Sequence, residues 1–186
     1  MCRRHALINL ILFVGGLTFG NAESAESIVV NGGFENGLAP PWGTGLYSQG
    51  RPGWWNSSNC NSTAEVDERV AMEGIVSLYI ANSSPRATQV YGTTAQRIRI
   101  EPKRPYRITI WARGLELGSN GAVSVVVDDA WQVRPIALPK GSFAWTRLSG
   151  TFSLSADHAD IRILSEDIGE AWIDDVRVEP LDTLIQ

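Results

Sequence analysis

The sequence predicts an all-β domain that folds as a two-sheet β-sandwich of the jelly-roll type. Apolar and polar residues alternate with a period of two over many short segments, the pattern of strands that bury one face. The segments are separated by stretches rich in Gly, Pro, Ser and Asn, which form turns. No segment shows sustained helical periodicity. Roughly eight or nine strands in about 160 residues are typical of a sandwich.

Residues 1–22 have the features of a secretory signal peptide. Arg3 and Arg4 precede an apolar run over residues 6–19, and the segment ends in the small-residue motif Gly20-Asn21-Ala22. The apolar run is shorter than the roughly 20 residues that a membrane-spanning helix needs. We therefore expect cleavage after residue 22, secretion to the extracellular space or periplasm, and no membrane association afterwards.

The mature chain, residues 23–186, is long enough for one domain with its own core. Removal of Arg3 and Arg4 leaves 14 basic against 20 acidic residues, a net charge of −6. An acidic domain of this kind is a poor partner for nucleic acid. Cys60 is the only cysteine after the signal peptide, so no disulfide can form within the mature chain.

The predicted strands follow one another to the end of the chain. They cover Ile28–Val30, Val76–Ile80, Ala95–Ile100, Tyr106–Arg113, Val123–Val127, Trp145–Leu154, Asp160–Leu164 and Ala171–Val178. The stretch from Ala39 to Thr63, rich in Pro, Gly, Ser and Asn, is predicted to be a long loop. Its aromatic residues, among them Trp42, Trp54 and Trp55, either seal one end of the core or present flat faces to a ligand.

The period of two assigns side chains to faces. In the strand from Tyr106, the inward set is Tyr106, Ile108, Ile110 and Ala112, and the outward set is Arg107, Thr109, Trp111 and Arg113. Arg147 faces outward in the strand from Trp145, and Arg162, Leu164 and Glu166 face outward in the strand from Asp160. We expect these outward residues to share one surface. That surface is either a ligand-binding face or an ordinary solvated sheet face stabilised by cation–π contacts.

A possible metal site combines the first loop with the last strand. The loop Asn31–Gly37 holds Glu35 among three glycines, and Asp174 is predicted to face inward together with Trp172. A buried carboxylate needs a compensating charge, which a cation shared with Glu35 would supply if the first and last strands are neighbours. Glu73 is a candidate third ligand, and oxygen ligands of this kind suit calcium. The alternatives are a solvated turn glutamate at Glu35, and an Asp174 that bonds backbone amides or an arginine.

Five segments, in this order, resemble the carbohydrate-binding modules of families 4, 9 and 22. They are Asn31–Gly37 with Trp42, Glu73–Leu78, Tyr106–Gly114, Trp145–Phe152 and Ile173–Val176. The resemblance covers nearly the whole mature chain. It implies a galactose-binding-like jelly roll that is stabilised by calcium and binds β-glucan or xylan in a cleft on its concave sheet, without catalysis.

The resemblance also implies roles for individual residues. The structural calcium would be bound by Glu35, Glu73 and Asp174. Tyr91 would stack on a sugar ring and Glu166 would bond sugar hydroxyls, while Leu164 departs from the aromatic residue that xylan-binding members often carry. With the outward set added, the predicted ligand-binding residues are Tyr91, Trp111, Arg113, Arg147 and Glu166.

The sequence thus predicts a secreted, non-catalytic protein that binds a plant-type or microbial polysaccharide or oligosaccharide. Modules of this type usually accompany a catalytic domain, so a separately encoded glycoside hydrolase is a candidate partner. The alternatives are a glycan lyase or glycosidase and a structural or adhesive sandwich with no sugar ligand. An enzyme would need two facing carboxylates, for which Glu166 with Asp128 or Asp129 is available, and His158 is the only histidine of the mature chain.

Overall fold

The computed structural model describes residues 26–43 and 53–181. Within these residues, ten strands form two five-stranded antiparallel sheets, which confirms the predicted all-β sandwich. The strands are β1 (Trp55–Asn56), β2 (Ser62–Asp67), β3 (Ser77–Asn82), β4 (Gly92–Arg99), β5 (Tyr106–Leu117), β6 (Val123–Val126), β7 (Ile136–Ala137), β8 (Gly141–Phe152), β9 (His158–Ser165) and β10 (Gly169–Pro180). The predicted signal peptide, residues 1–22, lies outside the described residues.

The two sheets interleave along the chain. Sheet A has the strand order β1-β4-β9-β6-β7, and sheet B has the order β2-β3-β10-β5-β8. Consecutive strands therefore often belong to different sheets, which is typical of a jelly roll. Within residues 26–43 and 53–181, no helix has the length and apolar character needed to cross a membrane.

The core lies between the sheets and consists mainly of β-branched side chains. Sheet B contributes Ile108, Ile110 and Ile173, and sheet A contributes Ile161 and Ile163, all completely buried. Burying an isoleucine of this kind contributes about 1.5–3 kcal/mol. The inward set predicted for the strand from Tyr106 is confirmed, because its four members are at most 3 % exposed.

The N-terminal segment closes one end of this core. Phe34 and Trp42 are both fully buried, with ring centroids 5.1 Å apart, and the indole N–H of Trp42 donates to the Asn31 carbonyl over 2.8 Å. Trp42 therefore seals the core, one of the two roles considered for the loop aromatics. The left-handed backbone of Asn31 (φ 53°) and Phe34 (φ 58°) turns the chain inward at this point.

The predicted strand Ile28–Val30 is not a strand in the structure. Its segment still runs beside β10, because the Ile28 N–H donates to the Val178 carbonyl and the Val176 N–H donates to the Gly32 carbonyl, both over 3.0 Å. The two ends of the domain are therefore neighbours, as expected. The short strands β1, β2 and β7 were not predicted, since two-residue strands and a mostly polar six-residue strand leave almost no periodic signal.

The prediction that Trp172 and Asp174 face into the core is wrong. A bulge between Asp174 and Arg177, with Asp175 at φ 49°, changes the alternation along β10. Before the bulge, Ile173 faces the core and Trp172 and Asp174 lie on the outer side of sheet B. After it, Val176 and Val178 face the core. An extra residue in a strand shifts every later side chain to the other face, and strict alternation cannot reveal it.

Candidate functional site

The five predicted ligand-binding residues lie on opposite sides of the sandwich. Trp111, Arg113 and Arg147 belong to sheet B, where Trp111 is paired directly with Arg147. Glu166 directly follows β9 and Tyr91 directly precedes β4, so both lie at sheet A. The expectation of one common surface is therefore wrong. Alternation determines the face within a strand, whereas strand pairing determines the sheet to which that face belongs.

The outer face of sheet B is packed around Trp172, which is only 7 % exposed. Its ring is covered by the guanidinium of Arg113, 4.8 Å from the ring centroid, and by Tyr79 at 5.1 Å between centroids. Its indole N–H donates to Asp67 over 3.1 Å, and this bond is the main reason why the pKa of Asp67 is lowered. Burial raises the pKa of Tyr79 to about 12. Arg113 is thus already bound to an indole of its own chain.

A row of three aromatic side chains lies at sheet A. The ring centroids of Trp55 and Tyr91 are 5.5 Å apart, and those of Tyr91 and Trp131 are 4.9 Å apart. Tyr91 is held in place by a reciprocal pair of hydrogen bonds with Ser57, each of 2.9 Å. Trp131 was not among the predicted site residues, because it lies in a turn with φ 61°, and a turn has no periodicity from which a face can be assigned.

The polar end of this surface is formed by Glu166. Arg134 binds its carboxylate with two hydrogen bonds of 2.5 Å and 3.2 Å, and Arg86 approaches to 3.9 Å. Arg134 also donates to the Ser124 hydroxyl over 3.2 Å. The pairing of Gly92 with Ser165 places Tyr91 and Glu166 side by side at this end. The two predicted residues at sheet A are therefore neighbours.

The other end of β9 carries a second group of charges. The carboxylate of Asp160 is completely buried and binds Arg97 (2.7 Å and 2.9 Å) and Arg162 (3.2 Å). Burial disfavours ionisation of Asp160, but the two guanidinium groups outweigh it and lower its pKa. His158 lies between Asp157 and Asp129, each 3.0 Å away, and these bonds raise the pKa of His158, that to Asp157 more strongly.

The outer face of sheet A is largely covered. Six residues that point away from the core at the middle of the sheet are at most 6 % exposed: Thr93, Ala95, Ser124, Val126, Arg162 and Leu164. Part of the cover is the segment between β6 and β7, since the ring of Trp131 lies 4.5 Å from the guanidinium carbon of Arg162. Leu164, the departure from the family pattern, is therefore beneath the surface and cannot contact a ligand in this conformation.

The predicted calcium ligands Glu35 and Asp174 meet at one turn. Asp174 accepts hydrogen bonds from the backbone N–H groups of Met72 (2.8 Å) and Glu73 (3.0 Å), and Glu35 accepts one from Ile75 (3.0 Å). A β-carbon at Gly33 would lie 3.6 Å from an Asp174 oxygen and 3.9 Å from the Glu35 γ-carbon. The two side chains thus flank the same small space.

The third predicted ligand is oriented differently. The carboxylate of Glu73 accepts a hydrogen bond of 3.2 Å from Arg177, which also binds Asp175. Among the described residues, no group of three or more His, Cys, Asp or Glu side chains is arranged to hold a metal ion. Asp174 is nevertheless completely buried, with no described cationic side chain bonded to it, and burial raises its pKa.

Comparison with solved structures places this fold among carbohydrate-binding modules. The module TmCBM61, solved with β-1,4-galactotriose, has 15 % identity and a TM-score of 0.58, and the match covers 84 % of this chain and 100 % of that one. A CBM4 module has 16 % identity and a TM-score of 0.57, over 83 % and 100 % of the two chains. The fold is thus that of a carbohydrate-binding-module jelly roll, and the resemblance stated from the sequence is confirmed at the level of the fold.

The same architecture also occurs within an enzyme. The enzymatically active domain of tailspike protein 4 from bacteriophage CBA120 has 16 % identity and a TM-score of 0.53, over 83 % of this chain and 21 % of that one. Neither the protein-family models nor the curated proteins include a match to this sequence. Because the identities are low, these likenesses describe the fold, and the function has to be argued from the site.

Proposed function

We propose that this chain is a non-catalytic carbohydrate-binding protein that binds a polysaccharide at sheet A. The observation that carries the proposal is the aromatic row of Trp55, Tyr91 and Trp131, whose middle member, Tyr91, lies beside the charged group around Glu166. Sugar rings have an apolar C–H face that packs on aromatic rings, and a rim of hydroxyls that bonds charged and amide side chains. The surface at sheet A offers both kinds of partner together.

The ligand we propose is a plant-type or microbial polysaccharide of the β-glucan or xylan type. The aromatic row supplies successive ring contacts, and Trp55, at 37 % exposure, is its most exposed member. Glu166 and Arg134 supply a carboxylate and a guanidinium for sugar hydroxyls. Sheet B is the weaker candidate, because its central tryptophan, Trp172, is covered by Arg113 and Tyr79.

The positions of the acidic residues favour binding over hydrolysis. Glu166 follows the last residue of β9, whereas Asp129 bonds His158, the first residue of that strand. Eight residues of strand span about 25 Å, while hydrolysis needs two carboxylates within about 5–9.5 Å. Asp128 accepts hydrogen bonds from the backbone of Gln132 and Val133, so its carboxylate is used to form a turn.

A structural calcium ion is part of the proposal, with Glu35 and Asp174 as its side-chain ligands. Asp174 supports it, because a completely buried carboxylate that binds no cationic side chain among the described residues is costly. Both carboxylates lie at the turn of residues 72–75, and calcium prefers oxygen ligands. Glu73 is bound to Arg177 and would have to leave it to take part.

Secretion and a partner enzyme complete the proposal. Residues 1–22 have the pattern of a signal peptide, which supports an extracellular or periplasmic location. At either location the protein would meet polysaccharide outside the cytoplasm. A separately encoded glycoside hydrolase is the partner we propose, since a binding module raises the concentration of an enzyme at its substrate.

Affinity electrophoresis and calorimetry with soluble β-glucan, xylan, mannan and pectin would test the proposal. We expect Trp55→Ala and Tyr91→Ala to weaken binding roughly tenfold, because each removes an aromatic ring on which a sugar ring can stack. Trp111→Ala and Arg147→Ala, on sheet B, should leave binding unchanged. If only the sheet B variants weaken binding, the site lies on sheet B. If no glycan binds, the alternative of a structural or adhesive sandwich without a sugar ligand is supported. New reducing ends or unsaturated products would show an enzyme.

A further inference from the structure

A continuous row of residues crosses the outer face of sheet B, next to the row that contains Trp172. Thr63 of β2 pairs with Ala81 of β3, and Glu170 of β10 pairs with both Ala81 and Leu115 of β5. Residues paired in this way have β-carbons about 4.5–5.5 Å apart, so their side chains are direct neighbours. The row therefore runs across the strands without interruption.

Two depressions lie along this row and meet where Glu170 pairs with Leu115. The first has a volume of about 340 Å³ and lies over β2, β3 and β10, with Thr63 and Glu170 among its lining residues. The second has a volume of about 400 Å³ and lies over β5 and β8, with Leu115 and Trp145 in its lining. We call the two together the sheet B groove. It crosses all five strands, about 19 Å at a strand spacing of about 4.8 Å.

One half of the sheet B groove is polar. Its exposed amide and hydroxyl side chains are those of Asn61, Thr63 and Ser83. In the part of the chain that the structure describes, no cationic side chain pairs with Glu170, whereas Glu166 at sheet A is bound by Arg134. Burial and, after it, a hydrogen bond with Glu170 raise the pKa of Tyr79 to about 12. A carboxylate has about four acceptor positions, so Glu170 keeps room for the hydroxyls of a ligand.

The other half of the sheet B groove is apolar and aromatic. Leu115 is 40 % exposed, and Trp145 is partly exposed. An extra residue in β8 at this point places Trp145 opposite Arg113, on the outer face. Among the described residues, no ring or guanidinium is stacked on Trp145, whereas Trp172 is covered by Arg113. The ring of Trp145 is therefore available to a ligand.

The direction of the sheet B groove favours a saccharide over a peptide. The groove runs across β3, β10 and β5, and each of these strands is paired on both sides. It therefore offers side chains and no free backbone groups, so the N–H and C=O groups of a bound peptide would find few partners. A saccharide instead carries hydroxyls around each ring and an apolar C–H face, which match the polar and the aromatic half.

We propose that the sheet B groove is a second saccharide site and that the protein joins two polysaccharide chains. The aromatic row at sheet A and the sheet B groove lie on opposite outer faces, with the core between them. Each site therefore takes its own polysaccharide chain, and binding at both sites links the chains together. This inference rests on the proposed function, because it takes the same class of ligand.

The test is calorimetry with cellohexaose and xylohexaose. We expect at least one of these probes to bind the wild type at two sites per chain. The double variant Trp55→Ala/Tyr91→Ala removes the aromatic row at sheet A and should keep one site. In that background Trp145→Ala should weaken binding about tenfold, because an aromatic ring is lost. The matched control is Trp111→Ala, on the outer face of the neighbouring strand, which should have no effect.

A second pair of variants tests the polar half. In the same background Glu170→Gln should weaken binding about tenfold, because hydrogen bonds to a charged group are lost. Glu179→Gln is its control, since Glu179 is also partly exposed on β10 but pairs with Arg107, far from the sheet B groove. Equal effects of Glu170→Gln and Glu179→Gln, or of Trp145→Ala and Trp111→Ala, would overturn the second site.

The pattern of binding separates this inference from the proposed function. One site that depends on Trp55 and Tyr91 alone would reject the sheet B groove and keep the proposed function. One site that depends on Glu170 and Trp145 alone would support the groove as a saccharide site, reject the site at sheet A and reject the joining of two chains. No binding of either hexaose or of the soluble polysaccharides would reject both sites. With both sites intact, the wild type should make a solution of soluble polysaccharide turbid, and Glu170→Gln should reduce that turbidity.

Discussion

Glu35 and Asp174 hold the same turn from two sides. Asp174 accepts hydrogen bonds from the N–H groups of residues 72 and 73, and Glu35 accepts the one from residue 75. One carboxylate comes from the loop of residues 31–37 and the other from β10, so the turn links these two segments. The stability of this corner therefore depends on how the two negative charges are compensated.

Chelation should destabilise the protein if calcium compensates those charges. An ion present at about 100 times its dissociation constant contributes about 2.7 kcal/mol, which corresponds to several degrees in melting temperature for a domain of this size. We expect EDTA to lower the melting temperature of the wild type and of Glu73→Gln, but not that of Glu35→Gln. Differential scanning fluorimetry would measure the melting temperatures of the three proteins with and without EDTA. Identical melting temperatures of the wild type with and without chelator would contradict the proposed calcium site.

Gly74 should tolerate substitution much less well than Gly37. Both have a left-handed backbone, with φ 64° and φ 69°, so alanine at either position costs about 1–2 kcal/mol. A β-carbon at Gly74 would also lie 1.9 Å from an oxygen of Glu35, whereas nothing lies within 4 Å at Gly37. We expect Gly74→Ala to lower the free energy of unfolding by about 1.5–3 kcal/mol more than Gly37→Ala does, because Glu35 must release its hydrogen bond to the Ile75 N–H. Urea unfolding would measure the stability of both variants, and equal losses would contradict the close approach of Glu35 to Gly74.

The pH dependence of stability should contain a contribution from His158. Its pKa is raised in the folded protein by Asp157 and Asp129, so its contribution is complete below the unfolded value of about 6.5 and is lost as the pH rises through the folded pKa. Melting temperatures of the wild type and His158→Gln should therefore converge between about pH 6 and 8. The carboxylates with lowered pKa values titrate at lower pH. If the melting temperatures of the two proteins differ by the same amount at every pH, His158 makes no pH-dependent contribution to stability.

Asp67 should matter more for stability than its exposed neighbour Glu65. Asp67 accepts the indole N–H of Trp172 and the backbone N–H of Arg69, and it is 7 % exposed. Asp67→Ala would leave the buried indole N–H without an acceptor and should cost about 1–3 kcal/mol. Glu65→Ala, on the same strand and face, should change stability by less than about 0.5 kcal/mol. Chemical denaturation would measure the free energy of unfolding of both variants. Equal losses would contradict a stabilising role for the hydrogen bond between Trp172 and Asp67.

Local pattern predicted much of the fold and part of the site. The alternation in β5 assigned Ile108 and Ile110 to the core and Trp111 to the outside, and the structure agrees. Pattern failed where an extra residue entered β10 after Asp174, because a bulge changes faces without changing composition. It also missed Trp131, whose position depends on a turn that folds back over sheet A.

By itself, the sequence determined that the chain is an all-β sandwich and which face most of its strand residues occupy, because alternation and turn residues act over a few neighbouring positions. Only the tertiary structure decided that Tyr91 and Glu166 share sheet A while Trp111 and Arg147 belong to sheet B. Sheet membership depends on pairing between strands far apart in the chain. Such pairing is set by how all the apolar faces close over one core, and no single segment records it.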